Sequence, residues 1–375
     1  MNAPLNKNDF IGLESVNWLY SGAETPPLRC SADAVQKYFQ ARATGPGGRA
    51  QTAAKETSFK NNLSQMLNLG ASNIALLGNT SEAVFSIALS LDWKTGDNVV
   101  INTLDFPAGV LPWLQLKKRG VEVRVVEHEN WNVTPQQMLD RVDERTRLVM
   151  TSWVSYLSGA KMPCEQIYDA LKNTETLFIV DVTQALGAFK FDGTQADFVV
   201  GSSYKWLLGT HGVGILAVNP ARTQGIVPQV VGWRGISDMF APTRFEKFTY
   251  HEDARRFETG YPSYSTIWAM EASTNYLLNA GVENCSSHIL EMGTLLINSL
   301  EANGYEVMTP KDPAHRAGNI ALVCPRGEEV SAALAAENIY AWGGDNRLRA
   351  SIHAFVDQSD IDQFMNALKR HFPGQ

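Results

Sequence analysis

The segment GSSYKWLLGTHGVGILAV, residues 201–218, sets one lysine, Lys205, between an apolar strand-like run and a cluster of glycines. A buried ammonium without a partner costs several kcal/mol or gives up its proton. Lys205 therefore either faces water or performs chemistry as an amine nucleophile. Upstream, LFIVDVTQA carries Asp181 within an apolar run, with Gln184 three residues on; a carboxylate there needs a cation, or else it faces solvent or caps a turn at the strand end. The run ADFVVGS delivers Ser202, Ser203, Tyr204 and Lys205 at its own carboxyl end, where open α/β sheets build their sites. A third element, LLGNTSEAVFSIALS, places Gly78, Asn79, Thr80 and Ser81 before an apolar-periodic helix with Glu82 in its first turn. Such a turn is either a plain N-cap or a set of free N–H groups and hydroxyls for a phosphate. Together these are an amine for a carbonyl carbon, an acid for a ring nitrogen and donors for a phosphate.

The elements that must position them alternate along the chain. NVVIN (98–102), VEVRVVE (121–127), RLVMTSWV (147–154), LFIVDV (177–182), ADFVVGS (196–202) and GILAV (214–218) read as strands, several apolar throughout, separated by helical spacing or turns. That pattern predicts a mainly parallel sheet covered by helices on both faces, an α/β architecture. Farther on, residues 267–305 read as a long helix broken around Gly281, followed by YEVMTP, NIALVCP and RLRASIHAF as strand candidates and a last helix N-capped by Ser359. This second region reads as a smaller α+β domain, giving expected units of 15–260 and 261–375, the latter joined by 1–14.

Composition narrows the class. With 375 residues, 44% of them hydrophobic and 19% charged, the chain can bury a large core and does not read as disordered. A net charge of −7 with mixed signs offers no footprint for nucleic acid. No apolar run reaches a membrane span, and the start MNAPLNKNDF lacks the apolar core of a signal peptide, so the expected location is the cytoplasm. The four cysteines, 30, 164, 285 and 324, show no CxxC pair or zinc spacing and read as reduced thiols, with no metal expected.

Amine, acid and phosphate cradle are the needs of pyridoxal 5′-phosphate (PLP). The ordered pair VDVTQALGAF and SSYKWLLGTHGVGIL resembles the class V aminotransferase family of fold type I PLP enzymes, in its VDxxQ and S-x-[HY]-K-x-x-G-x-x-G-x-G patterns, and the resemblance runs from about residue 15 to the C-terminus. It implies a large domain with a seven-stranded, mainly parallel sheet, and a smaller C-terminal domain. By the same resemblance Lys205 is the covalent cofactor lysine, Asp181 the partner of the pyridine N–H and Gln184 a donor to the phenolic oxygen, with Tyr156 near a position that contacts the same oxygen. Thr80, Ser81 and Ser202 match phosphate-holding positions, and Tyr204 stands where histidine is frequent. Phe106, in TLDFPAGVLPW, occupies the position of the ring that stacks on the pyridine; a phenyl ring shuttles no protons, leaving Lys205 to do so. In RLRASIHAF, Arg349 would clamp the substrate's α-carboxylate, and His353 reads as structural. RFETGYPSYS resembles the segment that reaches a neighbouring subunit's cofactor phosphate, with Thr259 and Tyr261 at hand, although Tyr261 stands where threonine is common. A homodimer with active sites at the subunit interface is the expectation.

Departures from the family sharpen the reading. ENIYAWGGDNRLRAS has no cysteine where cysteine desulfurases carry their persulfide-forming one, so persulfide transfer is not expected. The wording around Lys205 and Phe106 sits closer to the epimerase-like and C–S lyase branch. The expected activity is aminotransfer or C–S/β-elimination on an amino acid, with racemisation or a non-catalytic PLP-fold binding protein as alternatives. A nicotinamide-dependent dehydrogenase would need G-x-G-x-x-G after the first strand, and GPGGRA at 45–50 is a poor match. The stretch VNWLYSGAETPPL and the loop with Arg42 and Arg49 are expected at the entrance, and Trp18, Tyr20, Trp153 and Tyr156 are candidates for an aromatic wall.

Overall fold

A computed structural model describes residues 3–374. Seven strands form the central sheet: β1 (Ile74–Leu77), β2 (Asn98–Asn102), β3 (Glu122–Val126), β4 (Thr146–Ser152), β5 (Leu177–Asp181), β6 (Phe198–Ser202) and β7 (Gly214–Val218). Their spatial order is β1-β7-β6-β5-β4-β2-β3. The neighbours from β6 to β3 are parallel, whereas β7 runs antiparallel to both β6 and β1. The central strands are buried along their whole length because both faces are covered. Side chains alternate between two cores: Phe178 and Val180 of β5 join one, Leu177 and Ile179 the other. Six strands stand where the apolar runs predict them. The seventh, β1, is a four-residue segment too short to read as a strand by itself, and it leads directly into the turn before Thr80.

A separate antiparallel sheet contains β8 (Asn319–Val323), β9 (Trp342–Gly344) and β10 (Arg347–Ser351), ordered β9-β10-β8. Asn17–Trp18 pairs with Ile339–Tyr340, and Tyr20 bridges Ser351, so residues 17–20 lie along these C-terminal strands. YEVMTP does not form a full strand; it meets β8 through Met308 N to Ala321 O (2.8 Å), Val323 N to Glu306 O (2.9 Å) and Ala321 N to Thr309 Oγ1 (2.8 Å), and Pro310 ends the pairing.

The helical break predicted near Gly281 is real: helices Tyr264–Ala280 and Val282–Ala302 meet at that residue, whose φ of 83° suits glycine. The last helix, Gln358–His371, is capped by Asp357 rather than Ser359. Asp357 accepts from Asp360 N while Asp360 accepts from Asp357 N, a reciprocal box that two acids can close here because Lys7 lies against both. Among the described residues no helix is long and apolar enough to cross a membrane.

Candidate active site

Strand polarity decides where the chemistry gathers. Asp181 ends β5, Ser202 ends β6, and Thr80 begins the helix that follows β1, so all three emerge at the carboxyl edge of the sheet. The loop 209–213 arrives at that edge too, because β7 runs the other way. The result is a cavity of about 330 Å³ whose wall includes nine of the residues singled out in the sequence: Thr80, Ser81, Phe106, Tyr156, Asp181, Gln184, Ser202, Tyr204 and Lys205.

Lys205 is 7% exposed, and its amine has no ion-pair or hydrogen-bond partner among the described residues. Its Nζ lies 5.4 Å from the ring centre of Phe106 and 5.6 Å from that of Tyr204. Burial drives this amine down to about 8, with the positive charge of Arg349 adding to the effect and Asp181 opposing it. Asp181 is pushed up by burial and pulled back by Thr183, whose backbone N–H donates to its Oδ1 at 2.8 Å, and by Lys205. An amine poised near neutrality and an acid facing the same space can hold and move a proton between them.

At the other end of the cavity, the Thr80 Oγ1 and Ser202 Oγ are buried without any hydrogen-bond partner among the described residues. Asn79 caps the helix Thr80–Ser90 by accepting from Glu82 N at 2.9 Å. The N-cap reading and the anion-site reading thus hold together, since the N–H groups of Thr80 and Ser81 in the first turn have no intrahelical acceptor. Gly214 allows this turn to close: a Cβ there would stand 2.2 Å from the Asn79 carbonyl carbon. Two orphaned hydroxyls beside a helix N-terminus fit a phosphate, and with the amine and acid opposite they fit PLP.

Other sequence-derived residues take different places. Gln184 lines the cavity, but its amide is already engaged: Nε2 donates to Gly22 O (2.9 Å), and Oε1 accepts from Trp206 Nε1 (3.1 Å) and Asn319 Nδ2 (2.9 Å). Arg349 is 3% exposed and stands beside the cavity rather than in its wall, donating from Nη1 to Tyr156 O at 2.6 Å while Nε has no partner among the described residues. Burial, then the like charge of Arg347, press its guanidinium downward. Gly22 permits the approach, since a Cβ there would meet the Arg349 Cζ at 3.0 Å. Tyr261 lines a second cavity of about 760 Å³ with Arg42, Arg49 and Arg234, and its hydroxyl accepts from Arg49; neither it nor Thr259 reaches the Lys205 cavity within this chain. Arg42 and Arg49 accordingly are not at that cavity's entrance. Trp153 packs on Phe191 in the core. His353 uses both ring nitrogens internally, accepting from Ala354 N (2.8 Å) and donating to Trp206 O (3.1 Å), and burial lowers it to about 4.

One residue of the cavity wall and one behind it escaped the sequence reading. Asp105, next to Phe106, is buried and accepts from Ser152 N (2.6 Å) and from Asn102 Nδ2 (2.8 Å), tying the Phe106 turn to the end of β4; burial raises it to about 7. His211, within GTHGVG, lines the cavity and stacks on Tyr204 with ring centres 3.9 Å apart. A histidine inside a quoted glycine motif was the available signal.

The family model of class-V aminotransferases matches residues 17–364, and the chain belongs to that family. A probable cysteine desulfurase from Methanothermobacter thermautotrophicus is 25% identical over 92% of this chain and 92% of its own. Among solved structures, the apo cysteine desulfurase of Thermococcus onnurineus NA1 superposes with a TM-score of 0.89 at 20% identity, covering 99% of this chain and 98% of that one. A mutant of C-DES with glycine covalently linked to its PLP cofactor gives 0.89 at 19%, covering 97% and 99%. The fold is therefore that of the fold type I PLP enzymes, and the protein is a PLP-dependent enzyme of the class V family.

Proposed function

We propose that the cavity binds PLP through Lys205 and acts at the Cα of an amino acid, as an aminotransferase or a C–S/β-elimination lyase. The observation that carries this reading is the buried, unpartnered amine of Lys205 in one cavity with Asp181 and the orphaned hydroxyls of Thr80 and Ser202. Lys205 would hold the aldehyde, Asp181 the ring nitrogen, and Thr80, Ser81, Ser202 and Tyr204 the phosphate. Gln184, through its remaining amide N–H, and Tyr156 would approach the phenolic oxygen, with Phe106 against the ring. The group, when bound, supplies an electron sink for a bond broken at Cα. Arg349 binds and orients the α-carboxylate, for its guanidinium is buried with no carboxylate of the described residues paired to it. Lys205 Nζ takes the proton from Cα, the task for which its lowered affinity for protons suits it. None of the four cysteines lines the cavity, which favours chemistry without a protein persulfide.

We further propose a division into residues 15–260 and 261–375 with 1–14, and a homodimer. Support for the dimer comes from the exposed apolar side chains Val230, Trp233, Phe240, Phe245 and Tyr261 in one stretch of chain. Four free cysteines favour a reducing, cytoplasmic setting. The deciding experiment follows the cofactor's absorption in the purified protein while amino acids are added with and without an α-keto acid, products being identified by mass spectrometry. Stoichiometric keto acid means transamination, and pyruvate with ammonia over many turnovers means elimination. A Lys205→Ala protein with normal turnover refutes the assignment.

A further inference from the structure

Lys205 is not the only nitrogen-bearing side chain in the wall of this cavity. The His211 ring lies in the wall, stacked on Tyr204 at 3.9 Å and 18°, while its Nδ1 is 3.8 Å from Glu24 Oε1. Its backbone is pinned on both sides: the carbonyl accepts from Thr266 Oγ1 at 3.0 Å, and neighbouring Gly209 sits where a Cβ would stand 1.9 Å from Met270 Sδ. The loop is thus a fixed mount for a side chain that is itself more than half exposed. With Nδ1 turned to Glu24, Nε2 is the nitrogen left for a ligand. Opposite, Phe106 offers no titratable atom, and Asp181 is committed to Thr183 at the deep end.

We propose that His211 is a second proton-transfer residue, protonating the group that leaves Cβ, and that the substrate is an amino acid carrying a thiol, thioether or hydroxyl at Cβ; this rests on the amino-acid reading above. Lys205 takes the Cα proton, and the electron pair left behind becomes the Cα–Cβ double bond. The Cβ–S or Cβ–O bond breaks with its pair on the heteroatom, which takes the proton from His211 Nε2. The proton held by Lys205 returns through solvent to the His211 imidazole, restoring both groups, and one water molecule hydrolyses the released unsaturated amine to a keto acid and ammonia.

The test compares leaving groups in the full-chain holoenzyme. S-Ethyl-L-cysteine needs a proton donor for its thiolate, whereas 3-chloro-L-alanine loses chloride without one. His211→Asn is expected to slow elimination from the thioether by about 100-fold or more and from the chloride by less than about threefold. Exchange of the Cα proton with deuterated solvent, the melting temperature and PLP affinity should stay near wild type. Equal losses on both substrates, or none on either, overturn the inference. So does a fall of about tenfold or more in PLP affinity of the variant apoprotein, which would move His211 to the phosphate cradle. A wild-type enzyme that eliminates neither group also overturns it. In that case Cα exchange tells the two readings apart: if present, the amino-acid reading stands alone, and if absent, both fall.

Discussion

Two buried clusters of charge in this molecule are built on opposite principles. Beneath the second cavity, Lys60 contacts Glu258 at 2.6 Å and Glu56 at 3.7 Å, and Arg234 contacts Glu56 at 2.5 Å and Glu258 at 2.7 Å. Two cations meet two anions, and Leu76 N adds a hydrogen bond to Glu258 Oε1, fastening β1 to the segment before Thr259. At the sheet's carboxyl edge, by contrast, Lys205 and Arg349 are as deeply buried but, among the described residues, have no counterion in contact, and two hydroxyls lack partners there. A balanced cluster is complete as structure. An unbalanced one carries a desolvation cost that only a ligand offsets, and this contrast distinguishes scaffold from site where burial alone does not.

The contrast can be broken at several points. The largest effect belongs to Lys205→Ala, expected to lower turnover at least about 1,000-fold without lowering the melting temperature of the apoprotein, because no hydrogen bond or ion pair of the amine is lost and its burial as a cation is relieved. Next comes Glu258→Ala, which leaves Lys60 and Arg234 to share Glu56 as their one anion and should cost about 3–5 kcal/mol in denaturant unfolding, with activity falling only as the fold does. Arg349→Gln should raise KM for carboxylate substrates about 10- to 100-fold with a smaller change in kcat, since a shorter, neutral side chain loses the charge-assisted bonds. The smallest effects concern pH. Only the neutral amine attacks an aldehyde, so PLP capture by the apoprotein should quicken by about tenfold per pH unit and level off above about 8, as followed by stopped-flow absorbance. Because the folded value is depressed, the charged amine weighs on stability below about 8 and that burden fades as pH rises further. Lys205→Met should therefore stabilise the apoprotein most below pH 8, and thermal melts across pH would detect a gain that instead persisted at high pH.

Much of this was legible residue by residue. Six central strands announced themselves as continuous apolar runs, and the break at Gly281 as a glycine inside helical spacing. Lys205 and Asp181 stood out because a charge in such a run must reach solvent, find a partner or do chemistry, and their motifs occur as an ordered pair. β1 escaped because its partner β7 lies far along the chain, and pairing rather than local pattern makes it a strand. The Asp357 cap escaped because Lys7, at the other end of the chain, stabilises it.

The sequence by itself determined the sheet class and the inventory of reactive groups, since both follow from local hydrophobic patterning and from side-chain chemistry. Tertiary structure alone decided company. It brought His211 onto Tyr204 beside Glu24, set Asp105 under the Phe106 turn, committed most of the Gln184 amide to Gly22, Trp206 and Asn319, and carried Tyr261 to another cavity. Which groups share a cavity depends on strand order and direction. Those are settled by contacts between segments far apart in the chain, which no local window contains.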